Sequence, residues 1–272
     1  MTGEKTFRQR FRRRELLVGS FLKIAHTMPA EILGTLGFDF VVIDEEHAPI
    51  HRESTDRILL ACRAHGLSGL VRVPSADPAA ILSVIDCGAS GVLVPHVDSA
   101  DKARAVVAAA RYRGGARGYS STTRAGDFGA RTIAQHTSQQ DDSIAVIAMI
   151  EDPHALGCLD DILAVDGLDG VFIGRGDLTV AFGETASGSA PVRAATQAIV
   201  EAARAAKKPV CVMVSGPGDT SELAAMGASA FIVSTDQGFL RKAAMASLAE
   251  TRQTLADAAG QNASRTTEKS DV

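Results

Sequence analysis

With 272 residues, 46% hydrophobic and 22% charged, the chain can bury a sizeable core, and one globular unit is favoured over two. A net charge of −4, an aromatic content of 4% and the absence of tryptophan argue against a nucleic-acid face, which needs basic surface and stacking platforms. Cys62, Cys87, Cys158 and Cys211 stand singly, without zinc-type CxxC pairing or the density of a secreted scaffold, and read as reduced, buried thiols. No apolar run reaches membrane-spanning length and no signal-peptide pattern follows the basic N-terminus, so a cytoplasmic protein with no membrane partner is expected.

Taken in chain order, the Arg-rich start MTGEKTFRQRFRRRELL reads as a solvated amphipathic helix leading into the first strand. Short apolar runs bounded by Gly, Pro or Asp then predict strands over Leu16–Ile24, Phe38–Asp44, Gly69–Pro74 and Gly91–Val97. Four more are predicted over Ile144–Glu151, Gly170–Asp177, Pro209–Val214 and Ala230–Asp236. Helical Ala/Leu spacing separates most of them; Ser99 marks one helix start and Pro191 another. Near-continuously apolar strands alternating with helices predict an α/β fold, a single-domain (β/α)8 TIM barrel over residues 1–259. The polar, Gly-rich stretch from Gly114 to about Ser143 follows strand four and is expected to form an active-site loop. Residues 260–272 lack apolar periodicity and are expected to be a disordered polar tail.

Catalytic groups in such barrels come from the C-terminal ends of strands. Strand two ends in Asp44-Glu45-Glu46-His47, strand three carries Arg72, and strands five, six and eight end at Glu151, Asp177 and Asp236. Any one of these has an ordinary role as a helix cap or ion-pair partner. Together they place carboxylates, an imidazole and a guanidinium around one mouth. Glu151 and Asp177 can offer oxygen ligands to Mg²⁺ or Mn²⁺ and leave room for a bidentate 2-oxo acid. Arg72 can neutralise an enolate oxygen, and His47 can move a proton near neutrality. Gly174, Arg175, Gly176 and Asp177 form a GRGD turn whose backbone can approach an anion, and Asp44 completes the expected substrate-binding set. His51, His65, His96, His136 and His154 lack ligand spacing and are assigned surface or packing roles.

The runs VVIDEEHAPI, LVRVPSADP, GASGVLVPHVDSADKAR, MIEDP and VDGLDGVFIGRGDL, in this order, resemble the HpcH/HpaI aldolase family from about Leu17 to Leu240. The resemblance implies a class II aldolase with a (β/α)8 fold, similar to 4-hydroxy-2-oxoheptanedioate and 2-dehydro-3-deoxyglucarate aldolases. Such enzymes cleave 4-hydroxy-2-oxo acids to pyruvate, or a related 2-oxo acid such as hydroxypyruvate, and an aldehyde. It makes Glu151 and Asp177 ligands of Mg²⁺ or Mn²⁺, with Co²⁺ a further candidate. Arg72 stabilises the enolate, and His47 is the acid/base residue, partnered by Asp86. It also implies a homo-oligomer, a hexamer built as a trimer of dimers. The helix from about Pro78 to Cys87 carries Asp86 about 15 Å from the mouth at 1.5 Å per residue, so Asp86 is expected to serve a neighbouring subunit's site.

Three stretches depart from the family pattern: Met149 replaces a common Gln, GRGDL the commoner GPADL, and RYRGGARGYS a proline-richer run. Arg175 and the Tyr119–Gly129 loop are thereby expected to shape substrate preference. Alternative readings are a citrate-lyase-like acyl-CoA lyase, a class I aldolase using Lys23 as Schiff base, and a non-catalytic 2-oxo-acid-binding protein.

Overall fold

The computed structural model describes residues 5–268. Helix α1 (Phe7–Arg12) precedes β1 (Leu17–Leu22), α2 (Met28–Thr35), β2 (Phe40–Asp44), α3 (Arg52–Ala64), β3 (Ser68–Arg72), α4 (Pro78–Asp86), β4 (Gly91–Val94) and α5 (Ala100–Ala110). The second half holds α6 (Ile133–Ser143), β5 (Ala145–Ile150), α7 (Leu159–Leu163), β6 (Gly170–Ile173), α8 (Arg175–Ala181), α9 (Ala190–Ala205), β7 (Val210–Met213), α10 (Pro217–Met226), β8 (Ala230–Thr235) and α11 (Asp236–Glu268). All eight strands pair in parallel, β1 closing on β8, which is the expected (β/α)8 barrel. All eight expected strands form, each shorter than expected by one to four residues; β6, for example, ends at Ile173 because the GRGD run starts helix α8.

Strand periodicity decides what lines the barrel. Leu17, Phe21, Phe40, Val42, Leu70, Leu93, Ile147, Met149, Phe172 and Ile232 fill the interior, while Val41, Ile43, Val71, Val171 and Val212 pack against the helices. Continuing that alternation one step past the apolar runs turns Lys23, Asp44, Arg72, Glu151 and Gly174 inward at the C-terminal mouth.

Helix α1 differs from the expected solvated helix. Thr6 and Gln9 form a capping box, and Phe7 and Phe11 are buried as a plug in the barrel floor, their rings 5.5 Å apart. Two of its arginines are tied down, Arg8 to Asp169 at 2.8 Å and Arg10 to Asp39 at 2.7 Å. The basic run is thus a floor anchored by ion pairs.

The Gly114–Ser143 stretch is not an active-site loop of its own chain. Helix α5 intervenes after β4 and returns the chain to the floor end, so the stretch begins there and runs along α3 and α4. Arg117 bonds Asp86 at 2.9 Å, Arg124 bonds Asp56 at 2.8 Å and Arg63 approaches Asp127 at 3.4 Å. It also contains regular structure, a 3₁₀ segment over Arg124–Gly129 and α6, whose Thr132 and Gln135 form a second capping box.

Helix α11 runs past residue 259, where the polar tail was expected to begin, and extends to Glu268; residues 269–272 lie outside the described residues. Leu240, Met245, Leu248 and Leu255 on α11 are more than half exposed. Two valines on the outer wall of the barrel, Val18 of β1 and Val233 of β8, are also exposed, so α11 leaves uncovered the sector where the eighth helix of a closed barrel would pack. Of the cysteines, Cys62, Cys87 and Cys211 are buried free thiols as expected, but Cys158 is only partly buried because it sits on a surface 3₁₀ turn over Pro153–Cys158.

Candidate active site

A cavity of about 460 Å³ opens at the mouth, lined by Phe21, Lys23, Arg72, Met149, Gly174, Arg175 and Asp177 among others. One wall is built by β2 and β3, whose register sets Asp44 opposite Arg72. Arg72 Nε donates to Asp44 Oδ1 at 2.9 Å and Nη2 donates to Oδ2 at 2.7 Å, a two-pronged pair that fixes the guanidinium plane. The Phe21 ring supports it from beneath, 4.8 Å from the guanidinium carbon. Burial pushes the Asp44 carboxyl up, but Arg72, Lys23 and the His47 backbone N–H outweigh it and hold the group at about 2.

Asp44 is fully buried and saturated with donors, since Oδ1 also receives the backbone N–H groups of Glu46 and His47, and Oδ2 lies 2.9 Å from Lys23 Nζ. That arrangement makes it an organiser of Arg72 and of the following turn, in contrast to the expected direct contact with substrate. Glu46 Oε2 stands 3.2 Å from Arg72 Nη1 as a charge pair. The His47 ring reaches out from the same turn with its side chain 54% exposed, Nε2 lying 3.7 Å from Glu46 Oε2, so water has free access to it.

The facing wall comes from β5 and β6. Glu151 is buried at the end of β5, and the His96 backbone N–H donates to its Oε1 at 2.7 Å. Burial pushes the Glu151 carboxyl up to about 7; that N–H and the His96 ring pull it down, while Asp177 and Glu46 add like-charge repulsion. A buried carboxylate beside a second carboxylate is an arrangement that a hard cation relieves, and an all-oxygen pair fits Mg²⁺ or Mn²⁺. Among the described residues no three His, Cys, Asp or Glu side chains form a metal cluster, so water and substrate would have to complete the coordination.

Gly174 caps α8, and a Cβ there would lie 2.4 Å from Glu151 Cβ and 2.7 Å from its Oε2, so only glycine lets β6 turn this close to the carboxylate. Around Gly176 there is open space. Arg175 lines the mouth but is held by Asp219 at 2.8 Å and Ser187 at 3.2 Å.

The expected residues Asp44, His47, Arg72, Glu151, Gly174, Arg175, Gly176 and Asp177 therefore gather at one end of the barrel. Asp86 does not join them: it ends α4 at the opposite end, bonded to Arg117. Asp236 is excluded too, since it binds the backbone N–H groups of Lys23 and Ile24, both at 2.9 Å, and so fastens β8 to β1.

The His96 side chain lies at the surface, as expected, and is 55% exposed, but its backbone serves the site. Its backbone is left-handed, φ 54°, which orients the N–H onto Glu151, and its ring Nδ1 lies 3.0 Å from Asp152 Oδ2. The sequence signal for it was the polar residue ending the β4 run, the same signal used at the other strands.

The family model for HpcH/HpaI aldolase/citrate lyase matches residues 17–243. A 5-keto-4-deoxy-D-glucarate aldolase of Enterobacter sp. (strain 638) is 34% identical over 232 residues, 85% of this chain and 90% of that one. Its counterpart in Shigella dysenteriae serotype 1 is 33% identical over the same share of each chain. Among solved structures, a HpcH/HpaI aldolase/citrate lyase family protein from Burkholderia cenocepacia J2315 superposes with a TM-score of 0.86 at 28% identity, covering 90% of this chain and 98% of that one. The citrate synthase SbnG superposes with a TM-score of 0.83 at 29% identity, covering 92% and 98%. With the barrel, the mouth and these likenesses in agreement, the chain belongs to the HpcH/HpaI aldolase/citrate lyase family.

Proposed function

We propose that this protein is a divalent-metal-dependent class II aldolase that cleaves 4-hydroxy-2-oxo acids to pyruvate, or a related 2-oxo acid such as hydroxypyruvate, and an aldehyde. The observation that carries this reading is the pairing of Glu151, held near neutrality by burial, with a pre-oriented Arg72 in the opposite wall of the same mouth. Glu151 and Asp177 would hold the ion, which supplies Lewis acidity toward the 2-oxo group; Mg²⁺ or Mn²⁺ suits this ligand type.

The chain's own groups do the rest. Arg72 keeps donors beyond the two given to Asp44, and they meet the negative charge that grows on the C2 oxygen as the C3–C4 bond breaks. Fixing the guanidinium before substrate arrives avoids reorganisation during the reaction. His47, exposed to water, accepts the C4 hydroxyl proton through a water molecule and returns one to C3 of the released 2-oxo acid. The N–H groups of the first turn of α8, which have no intrahelical acceptor, suit the C1 carboxylate.

Lys23 as a Schiff-base nucleophile is disfavoured, because its amine is engaged in the salt bridge to Asp44. Pyruvate release from 4-hydroxy-2-oxo acids, abolished by EDTA and restored by Mn²⁺ or Mg²⁺, tests the reading. Release that survives EDTA would overturn it.

The same proposal includes a homo-oligomer, in hexameric order, in which Asp86 of one copy assists His47 of another. Two features support it. Asp86 lines an outer cavity of about 520 Å³ with Arg52, Arg124 and Phe128. The exposed leucines of α11 and the uncovered β8–β1 wall are complementary apolar surfaces that a second copy can cover.

A further inference from the structure

Asp86 is the last residue of α4, where the negative end of the helix dipole disfavours a carboxylate. Arg117 offsets this, its Nη2 donating to Asp86 Oδ1 at 2.9 Å, and among the described residues no donor reaches Oδ2. Asp86 also lines the outer cavity of about 520 Å³, so the oxygen that Arg117 leaves free is the one open to a group arriving from outside.

Arg117 is itself enclosed, its side chain 0% exposed. Nη1 donates to Gln140 Oε1 at 3.2 Å, and the guanidinium lies over the Tyr112 ring, 4.4 Å from its centroid. Tyr112 is fixed in turn: its backbone N–H donates to Asp141 Oδ1 at 2.8 Å, and its hydroxyl lies 3.1 Å from Nε2 of the buried His136. The Tyr119 ring packs edge-on against both, its centroid 6.0 Å from that of Tyr112 and 5.3 Å from that of His136. Stability alone gives little reason for this arrangement. Asp86 is the one ion-pair partner of Arg117 among the described residues, Arg117 Nε has no partner among them, and apolar groups of similar volume commonly serve a fold as well as a buried ion pair. What the network fixes is the direction of one carboxylate.

We propose that Arg117 is a positioning residue for Asp86: it holds one carboxylate oxygen so that the other is presented to His47 of a neighbouring copy, while Tyr112, His136 and Gln140 keep the guanidinium in place. This assignment rests on the cross-copy pairing of Asp86 with His47 argued above. A carboxylate released from Arg117 would meet the incoming imidazole in many orientations, and a misplacement of about 1 Å can cost roughly a hundredfold in rate.

The experiment reads Arg117 against Asp86 in the full-length, Mn²⁺-loaded protein. Arg117→Met is expected to lower kcat for pyruvate release by about tenfold or more with KM and the Mn²⁺ dissociation constant unchanged, and Arg117→Lys to restore part of it. Added to Asp86→Asn, Arg117→Met should cost nothing further, because it acts only through that carboxylate. In mixed oligomers Arg117→Met should group with Asp86→Asn: combined with His47→Gln chains it recovers about one quarter of wild-type activity, and combined with Asp86→Asn chains it recovers none, both defects lying on the same side of the contact. Independently of turnover, a low-field imidazole N–H proton resonance lost in His47→Gln and Asp86→Asn should also be lost in Arg117→Met and kept in Arg117→Lys. An unchanged kcat, an equal fractional loss with and without Asp86, recovery from the mixture with Asp86→Asn, or a resonance that persists in Arg117→Met overturns the proposal. If Arg117→Met does not fold, Arg117→Lys, which keeps the buried charge but not the planar grip, takes its place in the same comparisons with a smaller loss of kcat. Failure of the cross-copy reading appears separately, as a wild-type oligomer without that resonance and no recovery when His47→Gln is combined with Asp86→Asn.

Discussion

Arg72 and Asp44 face each other in register on β3 and β2 and join through the Nε–Nη2 edge of the guanidinium, at 2.9 and 2.7 Å, with Asp44 wholly buried. A planar fork fits that carboxylate and a lysine does not, so Arg72→Lys is expected to cut kcat by at least about a hundredfold while the protein stays folded. Asp44→Asn leaves the buried Arg72 and the half-buried Lys23 short of their counter-charge and should lower unfolding free energy by about 3–5 kcal/mol. The pair also sets an acid limb. The Asp44 carboxyl falls from 3.8 to about 2 on folding, so its contribution is complete above about pH 4 and is lost as pH falls through 2. That loss amounts to about 2 kcal/mol. Urea unfolding at pH 5, 3 and 2 should show it in wild type, and the Asn variant should lack that component.

Two glycines in one turn make a sharper contrast. A methyl at Gly174 would meet Glu151 at 2.4 Å, whereas a methyl at Gly176 meets nothing. Gly174→Ala should displace Glu151, cost about 1–3 kcal/mol of stability and weaken Mn²⁺ binding by roughly tenfold or more. Gly176→Ala should leave both within error. Mn²⁺ titration followed by electron paramagnetic resonance reads both variants, and equal behaviour would show that the close approach at Gly174 has no bearing on the metal.

The strands were legible because eight apolar runs of similar length sit between turn residues, and the mouth because the runs of strands two, three and five end in charged residues of inward parity, Asp44, Arg72 and Glu151. Lys23 carried that same parity, yet in sequence it was weighed only as a nucleophile; its neighbour Asp44 becomes visible only in the register. His96 was passed over because metal-ligand spacing was asked of its side chain, whereas its position at the end of the β4 run was the signal and its contact with Glu151 is made by backbone. Loop Gly114–Ser143 was misplaced because composition does not say at which end of a barrel a loop lies; counting the preceding helix α5 would have put it at the floor. The uncovered β8–β1 wall was invisible, since α11 has ordinary helical content and only the exposure of its residues beyond Phe239 sets it apart.

Glu151 gives the metal dependence a pH signature. In the metal-free protein its carboxyl is raised from 4.5 to about 7, chiefly by burial. Between those values the folded state retains a proton that the unfolded chain has released, so this group lowers stability as pH rises through that window. A divalent ion must displace the proton, so its apparent affinity should fall about tenfold per pH unit below 7. Differential scanning calorimetry with and without Mn²⁺ should therefore show a rise in Tm that is small at pH 5 and large at pH 8. Glu151→Gln should remove the rise at both. A rise equal at pH 5 and 8 would mean that the ion does not bind through Glu151.

Asp86 offers a test of assembly that activity alone can read. It ends α4 at the floor, bonded to Arg117, while His47 stands at the mouth of the same chain. If the two cooperate only across copies, His47→Gln and Asp86→Asn should each be nearly inactive as pure oligomers. Co-expressed and purified as mixed oligomers, they form some sites that join an intact His47 from one chain to an intact Asp86 from the other. Random pairing predicts recovery of about one quarter of wild-type activity, since half the sites retain His47 and half of those face an intact Asp86. Cooperation within one chain predicts no recovery, because every chain in the mixture lacks one of the two groups. Mixing the purified homo-oligomers without subunit exchange should stay inactive in both cases, which ties any recovery to the interface itself.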